Sequence, residues 1–511
     1  MKVYQYEMTE LVYQAPAPEG NEVSVELSAE FVCGEERRSV KGFYAGDGEY
    51  KIRFLPEQAG EYRYEVRGVV RDEGVFTAEP AREGQHGIVR AKGRSFAYED
   101  GTPGLFFGTT VYALMHQSRA LIDETMETLR QAPFNKIRLC VFPKHYRYNH
   151  NEPEFYAFAG KSGEWDTAHP DMRFWGAFEQ RLQQLFDMGI QVDLILFHPY
   201  DRWGFASMSQ QQNLEYLDYL LRRLSAWPAL WWSMANEYDL CRAKSMEDWY
   251  EIEEFIAAND PYHHLLSNHN CFAPYDASRP NITHMSWQTR QLERAAEMQK
   301  RYDKPVSIDE CCYEGDLPES WGAISGEEMT ARFWRAFMQG ASCTHGETFY
   351  PGEDEVVWWA RGGKLRGESP ERIRFLRGVM ESLPGPLTPQ PAPLCAIAGM
   401  TEQEREAALE QAGEFGFFLR AALRIPGEEF ERWAGKETEL IAACGNQAIL
   451  HYYDIQTSSR VTVKLPEDAH YRLEVIDTWN MTRTPAAEDA SGETEVMLTG
   501  KPWMAVLAIR L

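Results

Sequence analysis

The sequence predicts an α/β protein, a (β/α)8 TIM barrel flanked at both ends by all-β sandwich domains. With 511 residues, the chain is too long for a single hydrophobic core. Between about residues 95 and 385, short apolar segments alternate with amphipathic helical segments. On both sides of that region, apolar and polar residues alternate as they do in strands. These patterns predict three domains, at residues 1–88, 89–385 and 386–511.

The first domain is predicted to be a small β-sandwich. The stretches EVSVELSAEFVC, YKIRFLPE and GEYRYEVRGVV alternate apolar and polar residues, with Gly, Asp and Pro at the turns. The polar stretch EPAREGQHGIV follows them and is typical of a linker. We therefore expect the first domain to end near residue 88.

Eight short apolar segments predict the strands of the barrel. Helical stretches such as FWGAFEQRLQQLFDMG lie between them, except that a loop with Pro and Asn stands between the fifth and sixth. A doubly wound open sheet would alternate similarly, but no GxGxxG or P-loop motif follows any strand. The predicted strands are LFFGTT (105–110), KIRLCVF (136–142), QVDLILF (191–197), LWWSMAN (230–236), LLSN (265–268), ITHMS (282–286), PVSID (305–309) and ASCT (341–344).

A third domain follows a Pro-rich linker, SLPGPLTPQPAPLC. Strand-like alternation returns in FGFFLRAALRIPG, ELIAACGNQAILHYYD, SRVTVKLPE, YRLEVIDTWN and KPWMAVLAIRL. These segments predict a second β-sandwich.

Charge and cysteine content argue against several classes of function. A formal net charge of −26 disfavours nucleic acid or an anionic membrane surface as a partner. No run of 18 apolar residues is present and the first residues lack a secretion signal, so a cytoplasmic protein without a membrane partner is expected. The nine cysteines show no repeated CxxC spacing, which favours reduced thiols. No metal and no cofactor are expected.

In a barrel of this kind the active site lies at the carboxyl ends of the strands. Nearly every predicted strand ends in hydrogen-bonding or aromatic side chains, which a barrel used only as a scaffold would not need. Besides two glutamates, the candidate substrate-binding residues are Arg138, His198, Tyr200, Asp201, Asn236, His269, Asn270, Trp287, Gln288, His345 and Glu347.

The two glutamates are Glu237, after the fourth strand, and Glu310, after the seventh. Those strands lie on opposite sides of a barrel, so the side chains can converge across its mouth. Glycoside hydrolysis needs such a pair, a proton donor for the leaving oxygen and a carboxylate that attacks or activates water. A gap of about 5–5.5 Å gives retention, and about 6.5–9.5 Å gives inversion. Strand alternation does not decide between Glu310 and Asp309, because the strand ends there.

The motifs around these glutamates resemble those of the clan A glycoside hydrolases. WWSMANEYD is similar to their strand-4 Asn-Glu motif, and PVSIDE to the strand-7 end that supplies their nucleophile. More narrowly, FFGTTVYAL, FNKIRLCVFPKHY, LFHPYDRWGF and KPVSIDECCYEG resemble the apiosidase-like bacterial glycosidases. In that group a β-sandwich precedes the barrel and a smaller β domain follows it.

The resemblance implies a role for several residues. Glu237 would be the general acid/base, kept protonated by burial and by the second carboxylate. Glu310 would be the ionised nucleophile, held charged by Arg138, and Asn236 would hydrogen-bond the sugar 2-hydroxyl. The chain departs from the family on either side of the nucleophile, where an Asp and a Cys replace the usual Gly and Pro.

Together these observations predict a retaining glycoside hydrolase that cleaves terminal sugars from oligosaccharides. The preference for terminal sugars follows from the expected cytoplasmic location, because polymers do not enter cells. Two alternatives stay open. One is a metal-dependent sugar isomerase or hydrolase with Asp201, Glu237, His269 and Glu310 as ligands, and the other is a non-catalytic carbohydrate-binding protein. The sequence decides neither the sugar nor the assembly, monomer or homo-oligomer.

Overall fold

The computed structural model describes residues 2–350, 356–391, 401–422, 424–425, 429 and 439–511. The chain divides into two compact units. The first unit contains the N-terminal β domain and most of the barrel, and the second contains the C-terminal β domain with several helices. The first comprises Met1–Thr289, Gln299–Ile324 and Thr344–Gly367, and the second comprises Arg290–Met298, Ser325–Cys343 and Glu368–Leu511.

Two sheets with a shared apolar core form the N-terminal β domain. Phe31 of the larger sheet stacks on Phe54 of the smaller one, with 3.9 Å between the ring centroids. The alternating pattern places these side chains on the inner faces, as predicted for a sandwich. In spatial order, the larger sheet contains Val3–Tyr4, Asp72–Glu79, Gly60–Gly68, Leu27–Cys33 and Glu36–Lys41, and the smaller contains Thr9–Gln14, Glu49–Phe54 and Phe43–Gly46.

The central region folds into the predicted parallel barrel, and all eight predicted strands are present. They form one sheet in the spatial order 5-4-3-2-1-8-7-6, and the described ladder does not close between strands 5 and 6. Apolar residues fill these strands because both faces are covered. Barrel strands 1 to 8 are Phe107–Thr110, Lys136–Cys140, Gln191–Phe197, Leu230–Ala235, Leu266–Ser267, Met285–Gln288, Val306–Glu310 and Ser342–His345.

Five of the described helices between these strands begin at side-chain caps. Ser209, for example, accepts from the amide of Gln212 in a capping box at the start of one helix. No helix of the described residues has the length and apolar character needed to cross a bilayer. The helices are Arg119–Gln131, Met172–Asp187, Gln210–Leu224, Met246–Asn259, Ala295–Tyr302, Gly326–Met338, Trp358–Arg361 and Ser369–Glu381, and a hairpin of Phe158–Lys161 and Glu164–Pro170 follows barrel strand 2.

A small sheet covers the amino-terminal end of the barrel. It consists of Val89–Lys92, Ser95–Tyr98 and Pro103–Gly104, and its Phe96 packs against Trp231 with 5.1 Å between ring centroids. The two rings fill the barrel floor, so the open end is the one at which the strands terminate.

Four charged side chains, hereafter the charged layer, occupy the barrel interior: Lys136, Arg138, Asp193 and Asp309. Lys136 Nζ lies 2.6 Å from Asp309 and 3.0 Å from Asp193, and Arg138 Nε lies 3.3 Å from Asp193. Burial alone would raise the pKa of Asp309, but Lys136 and Arg138 hold it well below its ordinary value. Two positive and two negative groups leave the layer neutral, as a buried ionic cluster requires.

The C-terminal β domain also contains two facing sheets, as predicted. Helix Gly326–Met338 belongs to the same compact unit, and its Arg335 binds Asp454 through an ion pair at 2.9 Å. Trp334 of that helix stacks on Tyr452 at 5.4 Å between ring centroids. In spatial order the larger sheet contains Thr388–Gln390, Glu439–Cys444, Ala448–Tyr453, Met504–Arg510, Tyr471–Asp477 and Thr482–Ala490, and the smaller contains Arg460–Lys464 and Glu493–Met497.

One strand prediction in this region is wrong. The segment FGFFLRAALRIPG forms helix Gly416–Ala422, preceded by helix Glu402–Gln411. Thr401 and Glu404 close a capping box at the start of the earlier helix. Phe417 is 75 % exposed, so the apolar residues here do not mark one buried face of a strand. Part of the predicted linker and the end of this segment lie outside the described residues.

Candidate active site

A β-bulge in barrel strand 7 brings Glu310 to the mouth of the barrel. Trp287 pairs with Ile308, but Gln288, the next residue of strand 6, pairs with Glu310. Asp309 is therefore the extra residue of a bulge, which breaks the alternation of side chains and redirects the following one. Asp309 points into the charged layer, and the adjacent Glu310 lies at the mouth, 8 % exposed.

Glu237 reaches the mouth through a left-handed backbone conformation, with φ at 54°. This conformation costs a non-glycine residue on the order of 1 kcal/mol and persists where the surroundings hold it. The amide of Asn236 donates to Phe197 O at 3.0 Å, and that of Tyr238 donates to His269 O at 2.9 Å. These bonds tie the turn to strand 3 and to the end of strand 5, so the carboxylate is held in place.

The side-chain amide of Gln288 connects the two glutamates. In the orientation that satisfies its hydrogen bonds, the amide nitrogen lies 3.2 Å from Glu310 Oε2 and 3.3 Å from Glu237 Oε1. Because both oxygens contact one nitrogen, they lie no more than about 6.5 Å apart. The backbone of Gln288 is held in turn by Asn270, whose amide bonds both its N–H, at 3.1 Å, and its C=O, at 3.3 Å.

Two tyrosines serve as neutral hydrogen-bond donors to the pair. Tyr112 donates to Glu310 and lies 2.9 Å from Asn236 Oδ1, while Tyr200 donates to Glu237. Burial, reinforced by the nearby carboxylates, raises the pKa of both phenols well above the ordinary value. Each hydroxyl therefore keeps its proton across the physiological range and can stabilise a carboxylate.

Two buried cations face the pair from barrel strand 2 and the loop after it. Arg138 Nη1 lies 4.0 Å from Glu310 Oε1. The ammonium of Lys144 lies over the ring of Tyr112 at 3.7 Å and over that of Tyr200 at 4.3 Å, a cation–π arrangement. Burial lowers the pKa of Lys144, although the charges of both glutamates oppose this. The rings of Tyr146 and Trp359 complete the aromatic surroundings of this lysine, at 4.8 and 5.3 Å.

The surroundings of Glu310 favour its protonated form. Burial and the negative charge of Glu237 raise the pKa of Glu310 to about 7, against the opposing effects of Arg138 and Tyr112. Two interacting carboxyls titrate as a unit, so the proton belongs to the pair. Sequence reasoning expected the protonated carboxyl at Glu237, whereas here the raised pKa falls on Glu310.

Several predicted site residues do surround the glutamates. Arg138, Tyr200, Asn236 and Gln288 contact or face them as described above. Asn270 acts through Gln288, and His269 Nδ1 accepts from the amide of Glu237 at 3.4 Å. Sequence reasoning gave no role to Tyr112 or Lys144, and the available signal was their position directly after strands 1 and 2.

Other predicted residues make different contacts. His198 donates from Nε2 to Phe142 O at 3.2 Å, and burial together with the charge of Lys144 lowers its pKa to about 3. The carboxylate of Asp201 accepts the amides of two residues in its own loop at 2.7 Å each. Trp287 is buried, 6 % exposed, beside the bulge. These side chains support the wall of the mouth.

His345 and Glu347 lie away from the mouth. Thr344, one residue earlier, donates to Asp309 inside the barrel at 3.1 Å, so His345 points to the other side of strand 8. There its Nδ1 contacts Thr109 Oγ1 at 3.3 Å. Glu347 accepts two backbone N–H groups from a nearby loop. The structure therefore does not bring these two residues to the carboxylate pair.

Comparison with known proteins identifies similarities along most of the chain. The family model "Apiosidase-like, catalytic domain" matches residues 90–384. Two domains of unknown function match outside that region, DUF5060 at residues 2–68 and DUF5605 at residues 437–509. None of the curated proteins with which the chain was compared matches it.

The chain is also similar to solved structures of glycoside hydrolases. A protein from Bacteroides vulgatus described as a "putative glycoside hydrolase" is 32% identical, with a TM-score of 0.87, and the match covers 100% of both chains. A glycoside hydrolase family 5 protein from the same organism is 14% identical, with a TM-score of 0.60. That match covers 83% of this chain and 93% of the other, and at this identity it supports the fold alone.

Proposed function

The chain belongs to the apiosidase-like family and is a glycoside hydrolase, and on that premise we propose a retaining enzyme that removes terminal sugars. Glu310 is the proposed nucleophile, and Glu237 is the proposed general acid/base. The observation that carries the proposal is the contact of one Gln288 nitrogen with both carboxylates, at 3.2 and 3.3 Å.

The separation of the carboxylates supports retention over inversion. A retaining pair lies about 5–5.5 Å apart, whereas an inverting pair needs about 6.5–9.5 Å to admit a water molecule between the acceptor carboxylate and the sugar. The shared contact with Gln288 limits the separation of the nearest oxygens to about 6.5 Å, the lower end of the inverting range. Direct attack by a carboxylate is the reaction that this spacing accommodates.

The reaction would proceed in two displacements. Glu310 attacks the anomeric carbon while Glu237 gives its proton to the leaving oxygen, which breaks the glycosidic bond and forms a glycosyl–enzyme ester. Glu237, now a carboxylate, takes a proton from water as the water oxygen attacks the same carbon. The ester bond to Glu310 breaks, and the sugar leaves with its original anomeric configuration.

The surroundings favour this division of roles. Arg138 at 4.0 Å and the hydroxyl of Tyr112 stabilise negative charge on Glu310. Asn236, which lies between Tyr112 and Glu237, is the proposed contact for the sugar 2-hydroxyl.

The low exposure of the two glutamates supports action on the ends of sugar chains. Glu237 is 6 % exposed and Glu310 is 8 % exposed, in a mouth lined by aromatic rings. Carboxylates that are so little exposed suit the end of a sugar chain, whereas the middle of a polymer needs an open cleft. The flat apolar faces of the rings suit the packing of a sugar.

A panel of aryl glycosides tests these assignments together. The full chain is incubated with nitrophenyl α- and β-glycosides of several pentoses and hexoses, and proton NMR records the first anomer released. We expect one sugar to be cleaved with the anomeric configuration unchanged. Release of the opposite anomer would overturn the retaining mechanism.

The preference for terminal sugars needs a second substrate pair. An oligosaccharide of the sugar identified above is compared with the same compound blocked at its non-reducing end. We expect the block to abolish cleavage. Equal cleavage of both compounds would show attack inside the chain and would leave the anomeric result intact.

A further inference from the structure

Three buried side chains meet on the outer side of barrel strand 8, away from the carboxylate pair at the mouth. They are Glu314, His345 and Glu347, each 2 % exposed or less. One nitrogen or oxygen atom from each lies within 4.8 Å of the other two. We propose that this trio, hereafter the clip site, binds a single divalent transition-metal ion, for which Zn²⁺ is the best match.

The two carboxylates of the clip site face each other on paired strands. Glu314 and Glu347 are direct partners in a short parallel pair, so their side chains project from the same face. Like charges in this position repel, and burial makes the repulsion stronger. A divalent cation would neutralise both carboxylates.

A loop closes over these carboxylates at short range. The amides of Arg366 and Gly367 donate to the two oxygens of Glu347 at 2.5 and 2.8 Å. A Cβ atom on Gly367 would lie 2.4 Å from Glu314 Oε2, so a side chain at this position would have to displace the carboxylate. The loop orients Glu347 through its amides, as outer-shell partners orient metal-ligating carboxylates.

His345 provides an independent indication of a ligand. Its ring is fully buried, and among the described residues its Nε2 has no hydrogen-bond partner. Its other nitrogen, Nδ1, contacts Thr109 Oγ1 at 3.3 Å, and that hydroxyl also accepts from Trp358 Nε1 at 2.9 Å. Metal-ligating histidines are oriented in this way, by a polar partner on the second nitrogen.

The donor set favours zinc over calcium or magnesium. One imidazole nitrogen and two carboxylates suit Zn²⁺, whereas Ca²⁺ takes six to eight oxygen ligands and Mg²⁺ retains several waters. Ligand atoms around tetrahedral zinc lie about 3.4 Å apart. The atoms of the trio lie within 4.8 Å of one another, so zinc binding would draw them closer together.

A metal at the clip site would brace the strand that carries Glu310. Glu314 lies four residues after Glu310, His345 ends barrel strand 8, and Glu347 is held by the 366–367 loop. One ion would therefore join three segments behind the mouth. Its expected role is structural, because none of the three ligands contacts the carboxylate pair.

The test is made on the full chain, with zinc chloride as the probe. The protein is stripped with a chelator and titrated with Zn²⁺ by calorimetry, and thermal unfolding is followed with and without the metal. We expect one ion per chain and a melting temperature raised by several degrees at saturating zinc. A stripped, folded protein that binds no zinc would overturn the proposal, and this arm needs no variant.

Variants then locate the bound ion. Glu347→Gln and His345→Gln should each weaken zinc binding by about 100-fold or more, at or above the 10–100-fold range seen when only the outer-shell partner of a ligand is lost. Glu310→Gln, at the mouth, and Glu293→Gln, an exposed control, should bind zinc as the unaltered chain does. Zinc binding that is unchanged in both clip-site variants, or lost in Glu310→Gln, would contradict the assignment.

Discussion

The charged layer inside the barrel and the carboxylate pair at its mouth meet within one strand, at Asp309 and Glu310. Asp309 has Lys136 at 2.6 Å, and its pKa lies well below the ordinary value. Glu310 has Glu237 nearby and Arg138 Nη1 at 4.0 Å, and its pKa rises to about 7. The two acids are neighbours in the sequence, yet their pKa values shift in opposite directions.

This difference shows that two equally buried carboxylates are set apart by their charged partners. Both side chains are buried, and burial raises the pKa of both. Lysine and arginine overcome burial at Asp309 and fix a permanent charge, which suits a structural role. A second carboxylate reinforces burial at Glu310 and leaves a proton to be shared, which suits acid–base chemistry.

The largest expected effect comes from removing the attacking group at the mouth. Glu310→Gln should lower kcat/KM by at least about 10⁴-fold, because an amide cannot form the glycosyl–enzyme ester. Circular dichroism should show an intact fold, and the exposed-site variant Glu293→Gln should retain full activity. Substantial turnover by folded Glu310→Gln would remove it from the role of nucleophile.

The partner glutamate should show a leaving-group dependence. Glu237→Ala should lower kcat/KM by about 10²–10⁴-fold on substrates that need a proton on the leaving oxygen. Dinitrophenyl glycosides, whose leaving group departs without a proton, should react nearly normally in the first step. Added azide should restore turnover and give a glycosyl azide of retained configuration. An equal loss on all substrates, with no azide effect, would contradict the acid/base role.

Within the charged layer, Lys136 should affect stability more than catalysis. Lys136→Met would leave Asp193 and Asp309 buried without their shared cation, which we expect to lower the free energy of unfolding by about 3–5 kcal/mol. Lys161→Met breaks an exposed pair with Glu164 and should cost less than about 1 kcal/mol. Denaturant unfolding of both variants measures the difference, and equal losses would show that the layer contributes nothing special.

Much of this architecture could be predicted because it depends on local pattern. The eight barrel strands are apolar runs with turn signals at their ends, and their order along the chain implies a barrel. The positions of Glu237 and Glu310 follow from that order, since the ends of all parallel strands meet at one face. The helix at Gly416–Ala422 was missed because a short apolar segment fits a strand and a helix equally well.

The finer geometry depends on contacts between distant residues. Pairing between strands 6 and 7 creates the bulge that redirects Glu310. The sequence of residues 307–310, Ser-Ile-Asp-Glu, does not indicate a bulge. The clip site was not predicted from the sequence, because it also depends on contacts between distant residues. Glu314, His345 and Glu347 belong to separate segments, so they show no ligand spacing in the sequence. His345 was expected at the mouth because it ends barrel strand 8. Its side chain points to the outer side of that strand, which its position in the sequence does not indicate.

The pH dependence of activity is the smallest expected effect, and it compares Glu310 with Asp309 directly. The reaction needs one proton on the carboxylate pair, and the pKa of Glu310 is raised to about 7. We therefore expect kcat/KM to fall about tenfold per pH unit above pH 7, as the shared proton is lost. Asp309 is ionised throughout this range and should contribute no limb to the profile.

Glu237→Gln tests whether that alkaline limb belongs to the pair. With a dinitrophenyl glycoside no acid is needed, so activity depends only on ionised Glu310. Removal of the neighbouring charge also lowers the pKa of Glu310, because that charge contributes to raising it. The rate should then rise with pH to a plateau that begins below pH 7, and the decline above pH 7 should vanish. A decline that persists in this variant would place the controlling proton on a group outside the pair.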